Sequence, residues 1–225
     1  MSTLATDFAH RAAHPVDVRV GPATEGRDRV TVGFRIFLAI PHLILVGGPI
    51  AAASWWMGGP REGPGPQWGG GGGGVMGAVA GVCALIGWFA ILFTGCYPQG
   101  LRSLAAFYLR WRVRAVAYTA LLRDEYPPFG DGPYGAELVM DTADGPRDRL
   151  TVGFRLILAI PHLVAVWALG LAWGFTTLVA WFAILFTGDY PRALYGFAVG
   201  VLRWSTRVEA YLLLLHDEYP PFSLD

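Results

Sequence analysis

Two histidines sit deep in charge-poor stretches, where an ionisable ring needs a reason to be. His42 and His162 each follow a proline, Pro41 and Pro161, near the middle of an apolar run. Arg35 and Arg155 precede them by seven residues, two helical turns, and so share their face. Twelve residues of helix is ~18 Å of axial rise, a depth at which an ionisable group in a membrane is a functional hypothesis by default. Arg35, His42, Arg155 and His162 are therefore a candidate polar seam for a transporter or channel. The two imidazoles are also candidates to ligate haem or a metal, or to relay protons. The competing reading is structural: each proline frees a carbonyl one turn back, which a neighbouring polar face satisfies, and the arginines snorkel to the headgroups. No His-x3-His, Cys-x2-Cys or paired-carboxylate pattern accompanies the histidines, so neither a metal nor a cofactor is expected.

A second set of cations lies further along. Arg110, Arg114 and Tyr118 match Arg203, Arg207 and Tyr211, and their spacing of four puts each trio on one helical stripe. Guanidinium forks suit phosphate oxygens, so Arg110, Arg114, Arg203 and Arg207 are candidate contacts for anionic lipid headgroups. Internal pairing with Asp124-Glu125 or Asp217-Glu218 is the alternative. The block DEYPPF at Asp124 to Phe129 and Asp217 to Phe222 reads as a helix stop with interfacial aromatics, because paired prolines cannot continue a helix. The glycine run Gly69 to Gly74 has no Lys-Ser/Thr after it and no strand before it, so it does not read as a phosphate loop. Cys83 and Cys96 recur nowhere else and carry no disulfide or metal expectation. With no nucleophile elbow, zinc-protease helix or dinucleotide fingerprint, the chain is expected to be non-enzymatic.

These residues recur because the chain repeats itself. Arg27 to Leu43 returns as Arg147 to Leu163, Trp88 to Pro98 as Trp181 to Pro191, and the DEYPPF block returns unaltered. The offset is 120 for the first block and 93 for the others, so the first copy holds 27 extra residues, the Gly/Pro-rich stretch around Gly58 to Gly74. A tandem duplication is implied. The expected organisation is a polar segment 1–26, a membrane repeat 27–129 with its insertion at about 47–74, a linker 130–146, and a second repeat 147–225.

Composition fixes the solvent. Of 225 residues 54% are hydrophobic and 15% charged, against about 25% charged in a typical soluble domain. An all-α integral membrane protein is expected. Residues 150–187 are enough for two short helices of ~17 residues with a turn near Gly170 to Gly174, as a spanning hairpin or a re-entrant one. In the first copy the insertion opens the same hairpin. The third element, about 99–123 and 193–216, carries Arg110, Arg112 and Arg114 within one helix in the first copy and is expected to lie in the plane of the membrane as an amphipathic helix. Two spans per repeat place nearly every arginine on one side, which the positive-inside pattern makes cytoplasmic along with both termini. Three spans per repeat would invert the second copy. The polar first segment lacks a cleavable-signal pattern, so the first apolar run is expected to be an uncleaved anchor. Residues 16–20 and 137–140 hint at two short strands, able to pair between copies.

The succession RxxLAIPHL, WFAILFTGxYP, RW with a later arginine, and DEYPPF, in residues 27–129 and again in 147–222, resembles a bacterial membrane family designated domain of unknown function four-three-eight-nine. The resemblance implies a small multi-pass membrane protein and supplies no activity. The expected role is an accessory or scaffold subunit of a membrane complex, with the lipid bilayer, anionic headgroups and a protein partner or second copy as its contacts, and no nucleic acid. The alternatives are a small transporter using the Arg/His seam and a bis-histidine cofactor protein.

Overall fold

The computed structural model describes residues 14–48, 73–141, 145 and 147–225. Most of the insertion, with Gly69 to Gly72 of its glycine run, lies outside the described residues. In chain order the elements are β1 (Val16–Val20), α1 (Arg29–Val46), α2 (Gly74–Thr94), α3 (Gln99–Thr119), β2 (Ala136–Met140), α4 (Arg149–Thr187) and α5 (Arg192–Leu212). Three of them, α1, α2 and α4, are long and apolar enough to cross a membrane.

The largest departure from expectation is α4. The sequence predicts a turn near Gly170 to Gly174, yet α4 is one helix of 39 residues, ~58 Å long. Glycine in a helix interior costs only about 1 kcal/mol, too little to end a helix whose next residues pack well. The first half follows the same course in two pieces. α1 has 18 residues and α2 has 21, together the length of α4, and the insertion falls between them. Gly74 abuts the end of α1 so closely that a Cβ would meet the Ile44 carbonyl oxygen and the Gly47 nitrogen, and its φ of +64° is open only to glycine at low cost. The buried stripe Val32, Arg35, Ala39, His42 and Val46 resumes in α2 at Gly77, Ala80, Ala84 and Ile91, as the α4 stripe runs unbroken from Val152 to Ile184. Neither half forms a hairpin; each forms a rod.

The two rods run antiparallel and exchange hydrogen bonds. Trp88 of α2 donates to the Val152 carbonyl at 2.9 Å, and Trp181 of α4 donates to the Val32 carbonyl at 3.0 Å. At the rod ends the Arg27 amide donates to the Gly188 carbonyl and the Arg147 amide to the Gly95 carbonyl, both at 2.9 Å. Each rod thus closes on the start of the other. Trp88→Phe and Trp181→Phe are each expected to cost about 1 kcal/mol, additively because the sites are far apart. Denaturant unfolding of the two single variants and the double variant checks this; two silent variants would mean the indoles are dispensable.

After each rod a Gly-x-Tyr-Pro turn reverses the chain. Gly95 and Gly188 take left-handed φ values as helix caps, and Pro98 and Pro191 open α3 and α5. α3 returns along α2 and then α1, and α5 returns along α4. The third helix of each half, expected to be an amphipathic helix in the membrane plane, is buried on more than its rod-facing side, since β1 packs on α5 and β2 on α3. The strands pair antiparallel, Val16 opposite Met140 and Val20 opposite Ala136, as the alternation in the sequence suggests. The result is a stack of rods, return helices and a small sheet.

Candidate functional site

Each half carries a three-residue latch that its repeated motifs assemble. Asp28 caps α1 by accepting from the Val30 amide at 2.9 Å, which sets Arg27 just outside the helix and Arg35 on its buried face. Arg27 grips both oxygens of Asp124 at 2.7 Å, and Arg35 reaches the same carboxylate at 2.6 Å. Spare guanidinium donors close the end of α3: Arg35 donates to the Tyr118 and Arg123 carbonyls, Arg27 to that of Leu121. The Arg35 guanidinium also lies 4.5 Å over the Tyr118 ring. The second half repeats the plan. Arg147 and Arg155 hold Asp217 at 2.7 and 2.6 Å, Arg155 donates to the Tyr211 and His216 carbonyls, and its guanidinium sits 4.3 Å over the Tyr211 ring. Burial alone would raise the carboxyl pKa of Asp124 and Asp217, but the hydrogen bonds and charges of their two arginines hold both below the usual range.

The DEYPPF block then folds over the histidine. His42 is fully buried, with Phe129 stacked on its ring at 4.5 Å, Tyr126 at 5.0 Å, and Trp111 donating to Nδ1 at 3.1 Å, which puts the imidazole proton on Nε2. His162 has the same company: Phe222 stacked at 4.0 Å, Tyr219 at 4.7 Å and Trp204 edge-on at 5.9 Å. Tyr219 also donates to the Leu158 carbonyl, in the turn that Pro161 loosens. The structure therefore does not gather Arg35, His42, Arg155 and His162 into one seam. Each arginine serves its own aspartate, and each histidine fills its own aromatic box.

The phosphate candidates are engaged within the protein. Arg110 pairs with Asp131 at 3.1 Å, and Arg114 donates to the Gly130 carbonyl at 2.6 Å. Arg203 pairs with Asp17 at 3.2 Å, and Arg207 donates to the carbonyls of Val16 and Asp225. Their carboxylate partners are not the ones proposed from sequence; Asp17 belongs to β1 and Asp131 to the segment before β2.

Sequence reasoning missed the most buried ion pair. Arg112 of α3 contacts Glu209 of α5 at 2.6 Å, Tyr108 donates to the same carboxylate at 2.9 Å, and the other arm of Arg112 donates to the carbonyls of Val46 and Gly48. Those carbonyls are the loose end of α1 where the rod is interrupted. The unbroken second half has Val201 and Ser205 in place of Tyr108 and Arg112, and the first half has Val116 in place of Glu209. The mismatch between copies was the available signal. Burial and the Glu209 charge push the Tyr108 hydroxyl pKa up strongly.

A pair of histidines packs together outside the rods. His14 meets His216 edge-on at 4.9 Å, and both are buried. Burial, then His14, Arg155 and Arg147, push His216 down to about 3, and burial with Arg207 lowers His14. Because the folded state refuses protons that the unfolded state accepts near pH 6.5, stability is full above that pH and falls as the pH drops toward 3. The loss is expected to approach about 1.4 kcal/mol per pH unit for His216. His216→Phe should flatten unfolding midpoints between pH 6.5 and 4; an unchanged slope would assign acid sensitivity elsewhere. A shallow depression of about 310 Å³ beside Thr24, Glu25, Asp189 and Arg192 offers little charge, since Glu25 pairs with Arg192 and Asp189 accepts from the Gly26 amide.

Among the described residues no group of three or more His, Cys, Asp or Glu side chains could hold a metal ion. A family model described as domain of unknown function (DUF4389) matches residues 73–130 and 149–223, one segment in each half. No curated protein and no solved structure matches the chain.

Proposed function

We propose that this chain, which belongs to the DUF4389 family, is a non-enzymatic membrane protein that serves as an accessory or scaffold subunit at the cytoplasmic face of the cell membrane. One observation carries the reading: outside the helix ends, every exposed residue of α1, α2 and α4 is apolar, glycine or proline, from Val30 to Phe93 and from Leu150 to Phe186 among the described residues. A monomeric soluble protein rarely exposes a contiguous apolar patch beyond a few hundred Å². The buried cations favour a scaffold over a conduit, because Arg35, Arg155 and Arg112 are engaged by carboxylates and backbone carbonyls within the protein rather than aligned along a shared path. The separation of His42 from His162 into two aromatic boxes weighs against a shared cofactor.

Purification from membranes in mild detergent at native expression tests this, with the absorption spectrum, metal content and co-purifying proteins read from one preparation. A colourless preparation with a reproducible membrane partner is expected. A Soret band or stoichiometric metal, lost on replacing His42 and His162, would overturn it in favour of a cofactor protein.

A further inference from the structure

We infer that the two rods lie flat in a single leaflet, with their exposed face in the acyl chains and the return helices and sheet above them at the headgroups and in water. The inference rests on the membrane reading and says how the protein sits.

Length is the first argument. A rod of ~58 Å stood upright in a hydrocarbon core of ~30 Å would leave roughly half its apolar side chains in water. Among the described residues the exposed polar side chains of the rods stand at their ends, Arg29 and Thr94 on one rod and Arg149 and Thr187 on the other.

The second argument is the layer that covers the rods. α3 and α5 run lengthwise along them, so whatever plane one layer takes the other must share. Beyond α3 lie Arg110 and Asp131, paired with side chains 36% and 45% exposed, and beyond α5 lie Arg203 and Asp17. Upright rods would carry these pairs into hydrocarbon, where each charge is costly and barely screened. Laid flat, the same pairs face water, and the opposite face of the stack meets only lipid. This is the arrangement of an interfacial amphipathic helix, whose apolar side enters ~5–10 Å below the headgroups, built here from a whole tertiary fold.

The third argument is where the interfacial side chains stand. Tyr126 and Tyr219 are 44% and 42% exposed, and they pack beside His42 and His162, well inside the rods. Tyrosine favours the boundary between lipid and water, so that boundary runs along the rods.

Thiol labelling from each side of the membrane tests the seat. Cys83 is buried and Cys96 exposed, and the second half has Thr176 and Asp189 at the matching positions. In a Cys83→Thr background, native Cys96 reports one end of the rod pair. With Cys96→Asp added, Glu25→Cys reports the other end and Leu171→Cys the middle of the lipid face; Phe175→Cys replaces the last if it fails to accumulate. Sealed cells and inside-out vesicles are treated with a charged, membrane-impermeant maleimide. Both end reporters should react in inside-out vesicles and not in sealed cells, and the middle reporter in neither until the protein is denatured. Reaction of the two ends from opposite sides would show rods crossing the bilayer and overturn the inference. So would reaction of position 171 from the cell exterior, the signature of two hairpins. Protein recovered in the soluble fraction would instead overturn the membrane reading itself.

Discussion

Asp217→Ala is expected to cost about 3 kcal/mol or more of folding stability, because it strands two buried guanidinium groups at once. Arg147 and Arg155 have side chains 2% and 1% exposed, so water cannot replace the lost carboxylate without opening the end of α5. Asp124→Ala should behave alike through Arg27 and Arg35, and the double variant should add nearly both costs, since the latches share no residue. Asp217→Asn keeps an acceptor while removing the charge and should fall between. Both aspartates remain ionised below the usual carboxylate range, so the latch contribution persists on acidification until the pH drops through that range. Denaturant unfolding in detergent measures these costs; values under about 1 kcal/mol would mean that the arginines find other partners and that the latch is incidental.

Arg112→Met is the second large effect, also about 3 to 5 kcal/mol, since it leaves Glu209 buried without its cation and uncaps the broken end of α1. The cost should depend on the break. Deleting residues 47–73 joins Val46 to Gly74 just as Val166 is joined to Trp167 in α4; the Gly48 carbonyl is then gone and the fused rod supplies that of Val46 with a helical amide. In that background Arg112→Met should cost less by about 1 to 3 kcal/mol, the share of the carbonyls. The deletion variant is expected to fold with the helix content of its parent, read by circular dichroism. Equal costs in the two backgrounds would detach Arg112 from the interruption.

Much of this is legible in the sequence. The repeated blocks mark the starts of α1, α3, α4 and α5, because RDR places an aspartate cap ahead of an apolar run and Gly-x-Tyr-Pro places a left-handed cap and a proline at a reversal. The alternation in Val16–Val20 showed a strand. What failed was the division of residues 150–187 by the thickness of a bilayer, which presumes that an apolar helix stands upright; the helix itself obeys only its own packing, and Gly170 to Gly174 did not interrupt it. The latches were hidden for a different reason. Arg35 and Asp124 lie 89 residues apart, and although both belong to repeated motifs, nothing in spacing says that two motifs of one half meet. Arg112 and Glu209 were hidden because they belong to the difference between halves, and repetition draws the eye to what is shared.

The crossed tryptophan bonds also say what one half is without the other. A lone unit would hold an indole donor at the far end of its rod and its acceptor carbonyl at the near end, too far apart to meet. Two identical units facing each other about a twofold axis would satisfy both bonds at once, which is the geometry of an isologous contact. Joined in one chain, the pair is released from the demand that both members be the same. The charge pair Arg112–Glu209, which no symmetric dimer of either half would contain, is what that release permits.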